Sequence, residues 1–512
     1  MTTFNDLPAE LVAQVTELLS PETLLSWARV NKYLFEASRP RLRELSQEYE
    51  VLDLDDLAVT YTKVMDILQY PRLGELVKEI HGEAWIIPSP DATLWPEIFA
   101  EKSDNDAFAA LWEKRLDDLD LLESAHKWEL ENITTEDDFD MFRLKRTIAL
   151  CFPLFPWLRK ISARGEDGQE LGLISQLIVQ QLDRLYLPGT LSAPAMFSCL
   201  QDVRLDCCAT FDAIYIPDLL RFLRLPNLKI FHANDVVGDG GENSTTRHLL
   251  ANMTAPKCRL QELQLLISNV SYYDIKNLFN GISAKHLRTF TLEQASVDTE
   301  LDDFEYDNPE FRPREVVRVL GNYGCKRLET LNLQTDTDML QWHLDSNVEL
   351  AGDDYYSKDS DGNYCLSRAS LDAEHNLQNF PCLKSVTINA EMLLNGFGAV
   401  TRATAASANN DYGESLISRL PWIESDPREA LPIAQLLPPS LEILKLTAVQ
   451  ECQIRILNEK IGELSAKSTV DRAPASFPNL KEIRAGDYVG ESSPGQLVWS
   501  LEDGYIPFDS VV

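Results

Sequence analysis

Leu328-Glu329-Thr330-Leu331-Asn332-Leu333 is one copy of a phrase that returns along most of the chain: apolar, two variable residues, apolar, one variable residue, apolar. Further copies are Leu158-x-x-Ile161-x-Ala163, Leu182-x-x-Leu185-x-Leu187, Leu200-x-x-Val203-x-Leu205, Leu228-x-x-Phe231-x-Ala233 and Leu260-x-x-Leu263-x-Leu265. Beyond them come Leu287-x-x-Phe290-x-Leu292, Leu383-x-x-Val386-x-Ile388, Leu441-x-x-Leu444-x-Leu446 and Leu480-x-x-Ile483-x-Ala485. The last two apolar positions are two residues apart, as on one face of a strand, and the first sits at the turn leading into it. Stretches with apolar residues at steps of three and four precede several copies, over residues 218–223, 273–282 and 314–320, and these are expected to be helices. Helix, turn and strand form the unit.

Such a unit cannot bury both its faces alone, so neighbouring copies must stack, strands side by side in a parallel sheet and helices on the other surface. The phrase resembles the leucine-rich repeat, which implies an α/β fold: an irregular leucine-rich-repeat-like solenoid over residues 151–512. The family phrase adds an Asn or Cys after the strand, which this chain mostly lacks; Asn332 lies inside a phrase. Steps between first leucines are 18–32 residues as far as Leu287 and 39–58 beyond it. The longer steps place insertions near 298–310, which is strongly acidic, 336–379 and 395–437, the last with a low-complexity stretch over 403–410. Upstream, Pro71-x-Leu73 with Val77-x-x-Ile80 reads as an earlier turn of the same kind, and a Trp-rich stretch over 94–130 reads as helical. Residues 46–150 are therefore either a helical linker or the first, interrupted repeat turns.

The first forty-five residues read differently. Asp6 is placed to cap a helix that Pro8 begins, with Leu11, Val15, Leu18 and Leu19 on one apolar face. Ser20-Pro21-Glu22 repeats the cap-then-proline start for a helix carrying Leu24, Leu25, Trp27 and Ala28; Asn31 can cap a third with Leu34 and Phe35, and Pro40 is expected to interrupt the helix there. Three helices of this size leave apolar surface for something else to cover, either a partner or the rest of the chain. Leu7-Pro8-Ala9-Glu10-Leu11, Leu18-Leu19-Ser20-Pro21-Glu22-Thr23-Leu24-Leu25 and Arg29-Val30-Asn31-Lys32 together resemble the F-box motif, with Leu34 where that family often has an aromatic residue. The resemblance implies an F-box over residues 1–45 that docks on a Skp-type adaptor and, through it, a cullin. The adaptor-binding positions it implies are Leu7, Pro8, Leu11, Val15, Leu18, Leu24, Leu25 and Val30.

Asp and Glu number 81 against 47 Lys and Arg, a formal charge of -34, which repels nucleic acid and anionic lipid; neither is an expected partner. No apolar run reaches the ~18–20 residues that cross a bilayer, and no export signal opens the chain, so a cytoplasmic or nuclear location is expected. Nine cysteines without a C-x-x-C, two of them adjacent at Cys207-Cys208, suit reduced thiols. Seven histidines are spread singly, with no zinc spacing, so no metal is expected. Residues 321–326 lack phosphate-loop spacing and read as a helix-ending turn; residues 359–363 lack the closing glutamate of a calcium loop. No catalytic residue, metal or cofactor is expected. The expected role is a non-catalytic receptor that joins an unknown target protein, held by the repeats, to a ubiquitin ligase; the alternative is an interaction scaffold without ligation.

Overall fold

The computed structural model describes residues 7–53, 56–85, 110, 114, 152–165, 197–207, 214–238, 258–294, 313–335, 357–358, 364–365, 376–394, 433–447, 457, 477, 479–485 and 497–500. The chain divides into two compact units, Met1–Ala213 with Arg221–Ile230, and Ile214–Leu220 with Phe231–Val512.

The first unit opens with α1 (Ala9–Leu18), α2 (Pro21–Ala28) and α3 (Lys32–Tyr49). The Ser20 Oγ accepts the Thr23 N–H at 3.3 Å, and the Asn31 Oδ1 accepts the Leu34 N–H at 2.9 Å, so both expected caps form. Asp6 lies outside the described residues, and α1 starts one residue after Pro8. Pro40 does not interrupt: α3 runs through it to Tyr49. A proline loses the N–H bond to the carbonyl four residues back, here Glu36, and crowds that carbonyl; both positions are exposed, so the carbonyl can tilt outward and be satisfied by water.

After α3 come β1 (Val51–Asp53), α4 (Leu57–Gln69), a 3-10 turn over Pro71–Leu76, β2 (Glu79–Trp85), a second such turn over Phe152–Leu154, β3 (Lys160–Gly165) and β4 (Asp202–Cys207). The strands pair in parallel, with Leu52 opposite Ile80, Ile80 opposite Ile161 and Ile161 opposite Val203, all buried. β1 and β2 thus lie in one parallel row with β3 and β4. The Trp-rich stretch, apart from residues 110 and 114, and the phrase starting at Leu182 lie outside the described residues.

Further along are β5 (Ile214–Tyr215), α5 (Ile216–Phe222), β6 (Ile230–Asn234), β7 (Val236–Val237), β8 (Glu262–Ser268), α6 (Tyr272–Gly281), β9 (Thr289–Gln294), α7 (Pro313–Asn322) and β10 (Thr330–Thr335). They are followed by β11 (Ser357–Lys358), β12 (Tyr364–Cys365), β13 (Ser385–Asn389), α8 (Glu391–Leu394), α9 (Ile433–Leu436), β14 (Ile443–Thr447), β15 (Glu482–Ala485) and β16 (Leu497–Ser500). The main sheet of the second unit runs β6-β8-β9-β10-β13-β14-β15-β16. From β8 to β15 every pairing is parallel; β16, which carries no copy of the phrase, closes the row antiparallel to β15. Two small pairs stand apart, β5 with β7 and β11 with β12. The insertion over 395–437 lies outside the described residues except for α9 and Leu437, and the acidic one lies wholly outside them.

The phrase sets the register. Leu263, Phe290, Leu331, Val386, Leu444 and Ile483 stand opposite one another, and Leu265, Leu292, Leu333, Ile388 and Leu446 form the next row. All are buried, and so are the first leucines Leu260, Leu287, Leu328, Leu383 and Leu441 in the turns. Burying one such side chain stabilises by roughly 1.5–3 kcal/mol, so each added turn contributes a full row of apolar area. At each turn the carbonyl after the first leucine accepts two N–H groups of the next turn: Gln261 from Arg288 and Thr289, Arg288 from Glu329 and Thr330, Glu329 from Lys384 and Ser385. The strand ladder is thereby extended into the bend, and the turns cannot slip.

Helix ends are fixed as firmly. Residues 321–326 are the end of α7: Gly324 takes φ +73, Cys325 N–H reaches the Leu320 carbonyl at 3.1 Å and Gly324 N–H the Gly321 carbonyl at 3.0 Å. This left-handed closure satisfies the last carbonyls. At the start of α6, Ser271 and Asp274 form a capping box: the Asp274 Oδ2 accepts the Ser271 N–H at 2.8 Å and O–H at 2.7 Å, with Asp274 only 1% exposed. Gly238 lies against that carboxylate; a Cβ there would overlap Oδ2 and sit 2.7 Å from Cγ. Gly238→Ala is expected to displace Asp274 and lose about 2–4 kcal/mol, from overpacking and a broken cap together. Urea titration checks this against Gly321→Ala, where nothing lies within 4 Å of the added Cβ and the midpoint should hold or rise.

Candidate interaction surfaces

The N-terminal helices turn the face expected to be apolar outward. In α1 the inward positions are Val12 and Thr16, one helical turn apart; buried Thr16 satisfies its hydroxyl on the Ala13 carbonyl at 2.7 Å. The neighbouring stripe is left in solvent, with Leu11 47% and Leu18 87% exposed and Val15 half-buried. Val30, 68% exposed, and Phe35, 44% exposed, add apolar surface at the end of α2 and on α3. Pro8 is exposed and Leu7 half-buried, its carbonyl accepting the Tyr33 O–H at 2.5 Å, which ties the start of α1 to α3.

Leu24 and Leu25 differ from expectation. Both are buried, at 1% and 9% exposure, in the body formed by α1–α3 and the turn over Pro71–Leu76. Arg29 pairs with Glu75, and Arg72 donates to the Ser26 Oγ, so α2 is fastened to that turn. Burial of this pair is the ordinary outcome for a helix with neighbours on two sides: its most apolar positions go to the chain's own core first. The exposed apolar side chains of this segment are therefore Leu11, Leu18, Val30 and Phe35, with Pro8 exposed and Val15 half-buried, while Leu24 and Leu25 belong to the core.

A second surface belongs to the second unit. On the sheet face opposite the buried rows stand Thr289, Thr330, Asn332, Ser385 and Thr387, all half-buried, with buried Thr291 among them, an uncharged strip of hydroxyl and amide groups. Along the turns that enter the strands runs a row of alternating charge: Arg288 to Glu329 at 3.4 Å, Glu329 to Lys384 at 3.0 Å, and Glu442 to Lys481 at 2.8 Å. The Lys384 hydrogen bond holds Glu329 below its ordinary value of 4.5, and the Lys481 hydrogen bond does the same for Glu442. A depressed carboxylate stabilises the folded state above its unfolded pKa, and that contribution disappears as pH falls through the folded value. Lys384 is raised by Glu329, so its share is present below 10.5 and fades above it. The contribution of these pairs to the unfolding midpoint is expected to be flat between these limits and to fall away below pH 4.5, with Glu329→Gln shrinking the acid limb in a paired pH series. Exposed pairs of this kind are also weakened by salt.

One functional-looking residue escaped the sequence reading. Asn389, fully buried, follows the phrase that ends at Ile388 and bridges three strands. Its Oδ1 accepts the Thr335 N–H at 3.3 Å and the Thr447 O–H at 2.9 Å, and its Nδ2 donates to the Thr335 carbonyl at 3.4 Å. An amide carries its donor and its acceptor on two separate atoms at one tip, so it can satisfy the strands on both sides at once. The signal was available: an Asn directly after a strand phrase.

No chemistry converges among the described residues. No three His, Cys, Asp or Glu side chains there group in a way that could hold a metal ion. Cys258 and Cys325 are buried, their thiols pushed up to about 12 by desolvation, which keeps them from acting as nucleophiles. His232 bonds Glu262 at 2.9 Å, and Gln264 donates to the same oxygen at 2.7 Å, a structural triad on the sheet face. The loop over 359–363 lies outside the described residues. No described helix is long and apolar enough to cross a membrane.

No protein family matches the chain, and no curated protein does either. A solved structure, the crystal structure of the Rad7 and Elc1 complex in yeast, aligns over 96% of both chains with 11% identity and a TM-score of 0.31. A likeness that slight carries no argument, and the class of protein defined here, a mixed α/β chain with a parallel repeat sheet, rests on its own residues.

Proposed function

We propose that this chain is a non-catalytic substrate-recognition subunit of an SCF-type ubiquitin ligase, with α1–α3 holding a Skp-type adaptor and the repeats holding a target protein. The observation that carries this reading is the exposure of Leu11, Leu18, Val30 and Phe35 on the segment that resembles the F-box. These side chains are apolar surface that the chain itself does not cover, and docking on a partner would bury it. The mechanism is proximity: binding target and ligase together raises the effective concentration of a target lysine at the transferring enzyme. The bond chemistry belongs to the partners, in the cytoplasm or nucleus.

The test is stepwise reconstitution. The full chain mixed with a purified Skp-type adaptor should co-elute in size exclusion, and added cullin should join the peak. Absence of the first complex removes the reading. The burial of Leu24 and Leu25 favours one rival, because it makes the available contact smaller than the eight positions the F-box resemblance implies. That rival is an interaction scaffold without ligation, and an adaptor complex that cullin never joins would establish it.

A further inference from the structure

The chain carries a formal charge of -34, yet the turns that enter β8, β9, β10 and β13 present the opposite sign. We propose that this basic edge of the second unit binds a short acidic peptide segment of a protein partner, through Arg259, Lys285, Arg288, Lys326, Arg327 and Lys384. All six are exposed. The paired N–H bonds from Arg288 to Gln261, Glu329 to Arg288 and Lys384 to Glu329 lock these turns side by side, so the four turns lie at strand spacing, about 4.8 Å apart. The cations therefore line an edge of roughly 14 Å, which spans two or three side chains on one face of an extended peptide, where alternate residues repeat at about 6.6 Å.

Charge within the edge is unbalanced. Glu329 lies in the row and is shared by Arg288 and Lys384. Among the described residues no ion pair involves Arg259, Lys285, Lys326 or Arg327, so four cations are available to carboxylates from outside. A titratable group in their midst reports the local potential: His286 is held below the ordinary histidine value, first by desolvation and then by Lys285, Arg259 and Arg327. Lys326 also lines an open groove of about 460 Å³ between α7 and the turn at Asn379 and Phe380, with Arg318 and Asn322 beside it. Among the described residues no acidic side chain lines that groove, so a carboxylate reaching past the edge would meet Arg318 and Lys326 there.

An acidic peptide fits better than single-stranded nucleic acid. Sequence-tolerant nucleic acid sites pair a basic track with exposed aromatic platforms, and none of the exposed large apolar residues among the described ones lies on these turns. A peptide needs only spaced charge and backbone contact. A short segment is also repelled less by the remainder of an acidic surface than a long polyanion, since screening confines charge effects to about 8 Å at physiological salt. The inference stands apart from the adaptor contact, because it concerns the chain alone.

The test is fluorescence anisotropy on the full chain with labelled octaglutamate, octaglutamine and a twelve-nucleotide oligothymidylate, at about 50 and 200 mM salt. Octaglutamate should bind, octaglutamine should not, and raising the salt should weaken the complex. The triple variant Arg259→Gln, Lys285→Gln and Arg327→Gln should bind octaglutamate roughly ten-fold or more weakly, with an unchanged urea midpoint because all three are exposed. A control with Lys32→Gln, Arg39→Gln and Arg43→Gln on α3 removes the same charge elsewhere and should bind as the unaltered chain does. Failure to bind octaglutamate, an unaffected triple variant, or an equal loss in the control overturns the proposal. Tighter binding of oligothymidylate than of octaglutamate overturns the peptide class in favour of nucleic acid.

Discussion

Phe290→Ala is expected to cost about 3–5 kcal/mol of stability, the range for emptying a buried aromatic site. Phe290 is fully buried at the middle of the phrase on β9, with Leu263 and Leu331 directly opposite on the neighbouring strands. Its ring meets Phe279 of α6 edge-on, centroids 5.6 Å apart at 72°, a geometry worth about 0.5–1.5 kcal/mol beyond area. The position therefore joins three strands and the helix behind them, and neighbours fixed by the turn-to-turn bonds cannot collapse into the space. Because each repeat contacts only those beside it, the weakening should be concentrated in β8, β9 and β10. Hydrogen exchange would show faster opening there than in β14, and urea titration would give the total. Thr330→Ala, on the opposite face of β10, should change the midpoint little. A loss below about 1 kcal/mol at Phe290 would mean that the rows are not the source of the stability.

The same geometry explains why the repeat body was legible in the sequence while its surfaces were not. Leu328, Leu331 and Leu333 announce a strand because period-two burial and a leading turn leucine leave few other arrangements. The helices announced by residues 273–282 and 314–320 appear as α6 and α7, within one or two residues. Thr16 was not legible as an inward residue, since its burial depends on a hydroxyl returning to the Ala13 carbonyl within its own helix. Leu24 and Leu25 look alike whether they meet a partner or the chain's own turn; only the position of residues 71–76 decides. Pro40 misled because the cost of an interior proline, a lost N–H bond and a crowded carbonyl, is local, and on an exposed helix side the carbonyl can turn to water. Charge was the least legible of all: a total of -34 says nothing about Arg259, Lys285 and Arg327 standing on consecutive turns. A sum has no coordinates, whereas a repeat folds distant residues into one column.

Leu11→Asp combined with Leu18→Asp is expected to weaken adaptor binding by at least about 100-fold while leaving the fold intact. Each leucine buried at an interface is worth roughly 1.5–3 kcal/mol, so two supply about 3–6 kcal/mol before the cost of forcing carboxylates into an apolar contact. The folded chain itself loses little, because Leu18 is 87% exposed and Leu11 47% exposed, and the positions that hold α1 to its neighbours are Val12 and Thr16. Leu24→Ala supplies the contrast. Leu24 is 1% exposed, and its truncation should cost about 2–5 kcal/mol, so any loss of binding there would arrive with a lower unfolding midpoint. Isothermal titration with a purified Skp-type adaptor, run beside circular dichroism melts, separates the two. The double variant should lose binding at an unchanged melting temperature; the buried variant should melt lower, so that any binding it loses comes with lost stability. If the double variant binds as the unaltered chain does, the exposed stripe of α1 is not the docking surface, and the N-terminal helices are a cap on the repeat array whose apolar residues face water for another reason.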